Sequence, residues 1–154
     1  MEKNGGDKMA DLHDSVTISK PLETVFSYTS DLSNSTHIMS NVTNIEKMTD
    51  GPIQVGTKFK ETREIRGRKA SAIIEIVEWD KPSSYAVKSE SNGLKVVYRY
   101  FFEEHENGTK VTYTGDIYTS GIMMRLSKPI IRKILKKEDG DHLKQLKKVL
   151  EKEE

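Results

Sequence analysis

Apolar and polar residues alternate through the middle of the chain, from Val55 to Thr119, in the pattern typical of β-strands. The alternation is broken by turn residues at Gly67, Pro82 to Ser84, Asn92-Gly93 and Asn107-Gly108. Asn-Gly supplies the positive φ angles that a tight hairpin needs, so these breaks indicate antiparallel strands joined by short turns. The region is therefore predicted to form one antiparallel sheet.

Three shorter elements precede this region. The segment "DSVTIS" has the pattern of a strand, and Pro21 followed by Glu23 marks the start of a helix, because proline and an acidic residue both suit a first helical turn. A second short helix or turn is predicted at about 32–38, and "NVTNIEKM" is predicted to form a strand. Residues 1–11 show no periodicity and are predicted to be a disordered tail.

From Ile122 onward the apolar period becomes helical. The positions in the stripe are Met123, Leu126, Ile130, Ile131, Ile134, Leu135, Leu143, Leu146, Val149 and Leu150. This predicts a long amphipathic C-terminal helix, with a start or kink at Pro129 and a bend at Gly140. The fold class is therefore α+β: a curved antiparallel sheet of about seven strands buries one face against the long helix, within one domain at 12–151.

Aromatic residues are concentrated in the last predicted hairpin. Strand alternation places Val96, Tyr98, Tyr100 and Phe102 on one face, and Val111, Tyr113 and Ile117 on one face of the partner strand. One interpretation is ordinary core packing of the rings. The other is an apolar cavity in which tyrosine hydroxyls serve as polar anchors, and the predicted fold favours this second interpretation.

A pair of charged residues shares the inward parity of a predicted strand. If Phe59 and Ile65 face the interior, Glu61 and Arg63 do so too, and a buried charge pair is costly unless it is well hydrogen-bonded. The two side chains are therefore candidate anchors for a ligand. The alternative is a bulge or an open sheet end that leaves both side chains in solvent.

Composition narrows the range of functions. The 154 residues carry a net charge of +1, which gives no support for nucleic-acid binding, and they include no cysteine, which suits a cytoplasmic location. No signal peptide or membrane span is recognisable. The four histidines lack metal-ligand spacing and are expected at the surface or at helix caps, and no motif indicates a nucleophile. We expect neither a metal nor a cofactor.

One segment of the predicted C-terminal helix is strongly basic. Residues 125–137, "RLSKPIIRKILKK", contain six basic residues and no acidic one, with Ile130, Ile131, Ile134 and Leu135 on the other face. Such a helix could lie on an anionic membrane surface. The favoured interpretation is that Ile131, Ile134 and Leu135 are buried and close the core while the basic side chains are solvated, so membrane contact is possible but not favoured.

Several segments in this order resemble the helix-grip superfamily of START-like and Bet v 1-like domains, and within it the polyketide cyclase/dehydrase and lipid-transport group. The resemblance covers residues 12–151 and is carried by "VTISKPLETVFSYTSDLSN", "GPIQVGTKF", "EIVEWDKPSSYAV", "YFFEEHENGTKVTY" and "LKQLKKVLE". Ile38 stands where such sequences often have an aromatic residue. The resemblance implies a sheet that wraps around a long helix and encloses a cavity for apolar or amphipathic small molecules.

The expected function is the binding of a hydrophobic or amphipathic small molecule, lipid-like or aromatic, without catalysis. Two alternatives remain open: a cyclase or dehydratase that uses the same cavity, and a protein-interaction module resembling Hsp90-activator domains. The predicted ligand-binding residues are Phe59, Glu61, Arg63, Tyr98, Tyr100, Phe102, Tyr113, Ile117, Met123, Ile131, Ile134 and Leu135.

Overall fold

The computed structural model describes residues 10–152, so residues 1–9 of the predicted tail lie outside the described residues. Seven strands form one sheet. They are β1 (Leu12–Ile18), β2 (Val42–Lys47), β3 (Lys58–Ile65), β4 (Arg68–Asp80), β5 (Ser84–Ser91), β6 (Leu94–His105) and β7 (Gly108–Thr119). Their spatial order is β1-β7-β6-β5-β4-β3-β2, and every neighbouring pair is antiparallel. The predicted sheet is confirmed.

Five α-helices accompany the sheet within residues 10–152. They are α1 (Leu22–Ser30), α2 (Ser35–Ile38), α3 (Ile122–Leu126), α4 (Lys128–Asp139) and α5 (His142–Glu151). A single 3₁₀ turn at Leu32–Asn34 joins α1 to α2, and the Asp31 side chain accepts a hydrogen bond from the Ser33 amide there. The helices after the first strand and the C-terminal helical region both agree with the sequence prediction.

The hydrophobic core lies between the inner face of the sheet, α1 and α5. From α5, Leu143, Leu146 and Leu150 are buried, and Phe26 of α1 makes edge-to-face contact with Phe102 at a centroid distance of 5.1 Å. Burying an aliphatic or aromatic side chain of this size contributes roughly 1.5–3 kcal/mol each. The core therefore includes side chains from both α1, near the N-terminus, and α5, near the C-terminus.

Tyrosine rings from β5, β6 and β7 form a stack across the inner face of the sheet. Tyr85 is the register partner of Tyr100, which is the partner of Tyr113, and the rings stack at 5.0 and 5.6 Å. Cross-strand neighbours on one face lie close enough to pack in this way. The predicted shared face of Tyr98, Tyr100, Phe102 and Tyr113 is the inner face of the sheet.

The C-terminal helical region is divided at Gly140. This residue has φ 51° and ψ −130°, a conformation that side-chain-bearing residues rarely adopt, and it separates α4 from α5. The bend predicted at this position is therefore confirmed. Pro129 lies in the first turn of α4, where the missing amide proton costs no helical hydrogen bond.

The prediction that Ile131, Ile134 and Leu135 of α4 are buried is wrong for Ile134, which is 49% exposed. Ile131 and Leu135 are only partly buried. Asp139 is the one fully buried residue of α4, and α3 has none. The physical reason is that the space between α4 and the ends of β3 to β6 is not filled by core side chains.

Candidate functional site

Two adjoining pockets occupy the interior between the sheet and the C-terminal helices. The inner pocket has a volume of about 60 Å³ and lies among β3 to β6, α1, α2 and the start of α5. Its apolar walls include Ile38, Ile74, Val87, Leu143 and Leu146. Ile38, the residue that departs from the usual aromatic, thus forms part of this wall.

The outer pocket is larger, about 230 Å³, and lies beneath α4. Ile134, Leu135 and Glu138 form its helical side. The opposite side comes from the ends of β3 to β6 and is mostly apolar or small: Ile65, Ala70, Ser71, Ala72, Ser89, Ser91, Leu94 and Val96. A dry cavity of about 150 Å³ is sufficient to hold benzene, so this pocket has room for a small aromatic or branched aliphatic molecule.

Four residues line both pockets and mark their junction: Glu61, Arg63, Ile74 and Tyr98. Glu61 and Arg63 come from β3, whose alternation carries Phe59 into the core and keeps the next two odd-numbered residues on the same face. The alternative in which both charges are solvated is therefore incorrect. Glu61 is 8% exposed, and the Arg63 side chain is 19% exposed.

The junction holds a cluster of three charged side chains. Arg63 Nε donates to Glu61 Oε1 at 2.8 Å, and Arg63 Nη1 lies 3.8 Å from Asp139 Oδ1. Burial would lower the pKa of Arg63, but the Glu61 charge and hydrogen bond raise it above its ordinary value. Two carboxyl groups thus share one guanidinium, which leaves Asp139 incompletely compensated.

Asp139 is the most perturbed carboxyl group of the site. Burial raises its pKa to about 6, against the opposing effects of Arg63 and of hydrogen bonds from Tyr113 and Tyr98. The Tyr113 hydroxyl donates to Asp139 Oδ2 at 3.2 Å. Near neutral pH this carboxyl group is mainly ionised, so the junction carries one more negative than positive charge.

His142 and Tyr100 extend this polar network along the inner pocket. The Tyr100 hydroxyl lies 3.0 Å from His142 Nε2, and His142 Nδ1 lies 3.2 Å from the Asp139 carbonyl oxygen. Burial lowers the pKa of His142 to about 4, so the ring is neutral at physiological pH. Burial also raises the pKa of Tyr98, Tyr100 and Tyr113, which keeps their hydroxyl groups protonated as hydrogen-bond donors.

The hydroxyl group of Thr29 on α1 also faces the inner pocket. Thr29 is 7% exposed and lines this pocket, and its side-chain hydroxyl has no hydrogen-bond partner among residues 10–152. Its backbone carbonyl accepts a hydrogen bond from the Tyr85 hydroxyl at 3.1 Å. Buried hydroxyl groups are nearly always paired in folded proteins, so a polar atom within the pocket would satisfy this one.

The twelve predicted ligand-binding residues divide into three groups. Six of them line one or both pockets: Glu61, Arg63, Tyr98, Tyr100, Ile134 and Leu135. Another four are buried behind the pocket walls and line neither pocket: Phe59, Phe102, Tyr113 and Ile117. Ile131 is partly buried outside both linings, and Met123 is 77% exposed on α3, away from the interior. The position of Met123 therefore does not support its prediction as a ligand-binding residue.

Sequence reasoning missed Asp139, His142 and Thr29. For His142 the expectation of a surface position was wrong, although its contact with the carbonyl oxygen of Asp139, the last residue of α4, fits the expected capping role. His13, His37 and His105 are exposed as expected. The sequence did contain a signal for Asp139, because this residue continues the four-residue spacing of Ile131 and Leu135. A charged residue on the apolar side of a helix indicates a polar group turned toward the interior.

A metal site was not expected, and within the described part of the chain no three His, Asp or Glu side chains are grouped in a way that could hold an ion. The expectation that the protein uses no cofactor remains a prediction. Among residues 10–152 no helix has both the length and the apolar character required to cross a lipid bilayer.

Residues 9–151 match the model of the family described as polyketide cyclase/dehydrase and lipid transport. The chain belongs to this family. No curated protein sequence matches it. The family assignment agrees with the resemblance noted in the sequence and with the seven-stranded sheet and C-terminal helices described above.

Solved structures of this fold are similar along nearly the whole chain. The protein TTHA0849 from Thermus thermophilus superposes with a TM-score of 0.74 at 20% identity, covering 93% of this chain and 99% of that one. A START superfamily protein from Mycobacterium smegmatis gives 0.69 at 14% identity, with coverages of 92% and 97%.

A third similar structure is the di-domain ARO/CYC protein BexL from the BE-7585A biosynthetic pathway. It gives a TM-score of 0.70 at 15% identity, and the match covers 88% of this chain and 48% of that longer chain. At these identities the similarities establish the helix-grip fold alone.

Proposed function

We propose that this protein binds a small amphipathic molecule whose apolar part fills the outer pocket and whose polar group lies at the junction. The observation that carries the proposal is the buried cluster of Glu61, Arg63 and Asp139 between two otherwise apolar pockets. Apolar residues of similar volume would stabilise the fold at least as well as a buried ion cluster does. A role in recognising a polar group explains the presence of the cluster better than stability does.

The charge of the cluster favours a neutral hydrogen-bonding group over an anionic one. With Glu61 and Asp139 facing one guanidinium, an additional carboxylate would meet two negative charges and one positive charge. A hydroxyl, phenol or amine could instead donate to Asp139 without that repulsion. A small aromatic alcohol or a neutral lipid-like alcohol fits the site better than a fatty acid does.

The hydroxyl of Thr29, which has no hydrogen-bond partner within residues 10–152, gives a second recognition point in the inner pocket. The inner pocket is too small for a ring system, but it accommodates a short polar substituent that extends past Tyr98. A ligand with polar groups at two positions separated by an apolar segment would therefore satisfy both the junction and Thr29.

Fluorescence titration with N-phenyl-1-naphthylamine, a neutral apolar probe, tests the proposal. We expect one probe molecule bound per chain, and at least about tenfold weaker binding after Tyr98→Trp or Ala72→Trp, because the first indole fills the junction and the second fills the outer pocket. Tyr118→Trp on the outer face of the sheet is the matched control, since Tyr118 is exposed and lines neither pocket. Equal binding by all three variants would place the probe elsewhere, provided that circular dichroism shows that each variant is folded.

Catalysis in the same cavity is a second candidate function, and the pKa of Asp139 is the observation that favours it. A carboxyl group with a pKa of about 6, next to two tyrosine hydroxyls, can exchange a proton with a substrate near neutral pH. This arrangement suits removal of a proton from carbon next to a carbonyl group. The polyketide cyclase branch of the family makes such chemistry a natural alternative to simple binding.

Proton exchange from a small aryl 1,3-diketone in deuterated water, followed by NMR, distinguishes the two functions. If the site is catalytic, the protein accelerates exchange with a half-maximal rate near pH 6, and Asp139→Asn abolishes the acceleration while probe binding persists. If the site only binds, the parent protein and the variant give the same exchange rate as the solution without protein.

A further inference from the structure

An exposed apolar row runs along α3 and α4, outside the two pockets. Ile122, Leu126, Ile130 and Ile134 follow one another at four-residue spacing, and they are between 49% and 71% exposed. Met123 beside them is exposed as well. Ser127 between the two helices keeps right-handed helical backbone angles. Four-residue spacing places such side chains on one helical face.

The polar side of the same helices is basic. Asp11 pairs with two of the six basic residues, at 3.6 Å from Lys128 and 3.0 Å from Arg132. The other four, Arg125, Lys133, Lys136 and Lys137, are exposed and have no acidic partner among residues 10–152. The face thus combines an apolar row with uncompensated positive charge.

We propose that the α3–α4 face docks on an anionic lipid membrane surface. An amphipathic helix of this kind lies in the interface with its apolar side chains among the lipid chains and its lysines at the phosphate level. Neighbouring lysines gain from the negative surface potential of the membrane. The sequence alone favoured burial of the apolar stripe, and the exposure of Ile130 and Ile134 in the structure removes the reason for that preference.

A second copy of this chain is the competing occupant of the face. A symmetric dimer through α3 and α4 would bring the same unpaired lysines of both copies toward each other. Like charges in apposition oppose such an interface, whereas anionic headgroups neutralise them. Charge complementarity therefore favours the membrane.

The proposed docking face borders the outer pocket. Ile134 belongs to the exposed row and also lines that pocket, together with Leu135. A ligand that leaves the pocket beneath α4 would therefore emerge next to the lipid. This last step rests on the proposed ligand binding, whereas docking itself does not.

Vesicle sedimentation at about 50 mM salt, without any ligand, tests the docking. We expect binding to phosphatidylcholine vesicles with about 30% phosphatidylserine, little binding to pure phosphatidylcholine, and loss of binding as salt is raised. Lys133→Glu with Lys137→Glu should weaken binding more than tenfold. The matched control is Lys144→Glu with Lys148→Glu, which has the same spacing and charge change on α5 and should bind like the parent.

A second pair of variants tests the apolar row. Ile130→Asn should weaken vesicle binding, whereas Ile73→Asn on the sheet, where Ile73 is also exposed, should not. Absence of binding to the anionic vesicles would overturn the proposal, as would equal losses in the two double variants. A dimer in analytical ultracentrifugation that dissociates on Ile130→Asn, without vesicle binding, would assign the face to a second copy. Probe titration of the same samples shows independently whether the ligand site is intact.

Discussion

Helices α4 and α5 have similar amphipathic sequences and different environments. In α5 the apolar positions Leu143, Leu146 and Leu150 are buried in the core. In α4 the equivalent stripe is partly or largely exposed, and the only fully buried residue is the acidic Asp139. Two residues separate the helices: Gly140, with its unusual backbone conformation, and Asp141, the N-cap of α5.

The difference shows that an amphipathic pattern specifies a face of a helix but not what covers it. A helix that closes a core and a helix that covers a ligand pocket or lies on a membrane need the same spacing of apolar residues. We interpret α5 as the structural half of the C-terminal region and α4 as the half that serves ligand and membrane contacts.

The largest expected effect separates the two helices by their contribution to stability. Leu146→Ala should lower the free energy of unfolding by about 2–5 kcal/mol, because it opens a cavity among fully buried side chains. Ile134→Ala should cost below about 1 kcal/mol, because much of that side chain is already in solvent. Urea denaturation of both variants measures the difference, and similar losses would show that α4 is part of the core.

The second prediction concerns the polar residues at the break between the helices. The folded-state pKa of Asp139 is raised to about 6, so its contribution to stability is lost as pH rises from about 4 to 6. The folded-state pKa of His142 is lowered to about 4, so its contribution is lost as pH falls from about 6.5 to 4. In the parent protein the two slopes oppose each other between about pH 4 and 6.

Replacing either side chain should leave the pH dependence of stability that the other one causes. With His142→Asn, stability should fall as pH rises through this window, by up to about 1.4 kcal/mol per pH unit relative to the parent. With Asp139→Asn, stability should rise with pH by a similar amount. Urea midpoints at several pH values give both slopes. If both variants show the same dependence of stability on pH as the parent, the pKa values of Asp139 and His142 are not shifted as described.

The smallest expected effect tests whether the junction beside α4 binds the polar group of a ligand. Near neutral pH, 2-naphthol should displace the fluorescent probe at least about tenfold better than 2-naphthoate, because the ionised Asp139 disfavours a ligand carboxylate at the junction. Below pH 6 the preference should shrink as Asp139 becomes protonated. Stronger binding of the naphthoate would mean that Arg63 dominates the junction.

Much of the fold was predictable, because alternation and turn residues report local geometry. The break at Gly140 and the inward parity of Glu61 were both readable from the sequence. The exposure of Ile134 was not, because it depends on how far the sheet extends beneath α4. The buried position of His142 depends on contacts with Tyr100 and Asp139, which lie on other elements, so no local pattern encodes it.

Hydrogen exchange of the protein with and without saturating N-phenyl-1-naphthylamine tests the division between the two helices most directly. We predict that the probe slows exchange in α4 and in the β3–β4 hairpin, which border the outer pocket, and that it leaves α5 unchanged, because the core already protects its amides. Slowing confined to α5, or bound probe with no change in α4, would contradict the account.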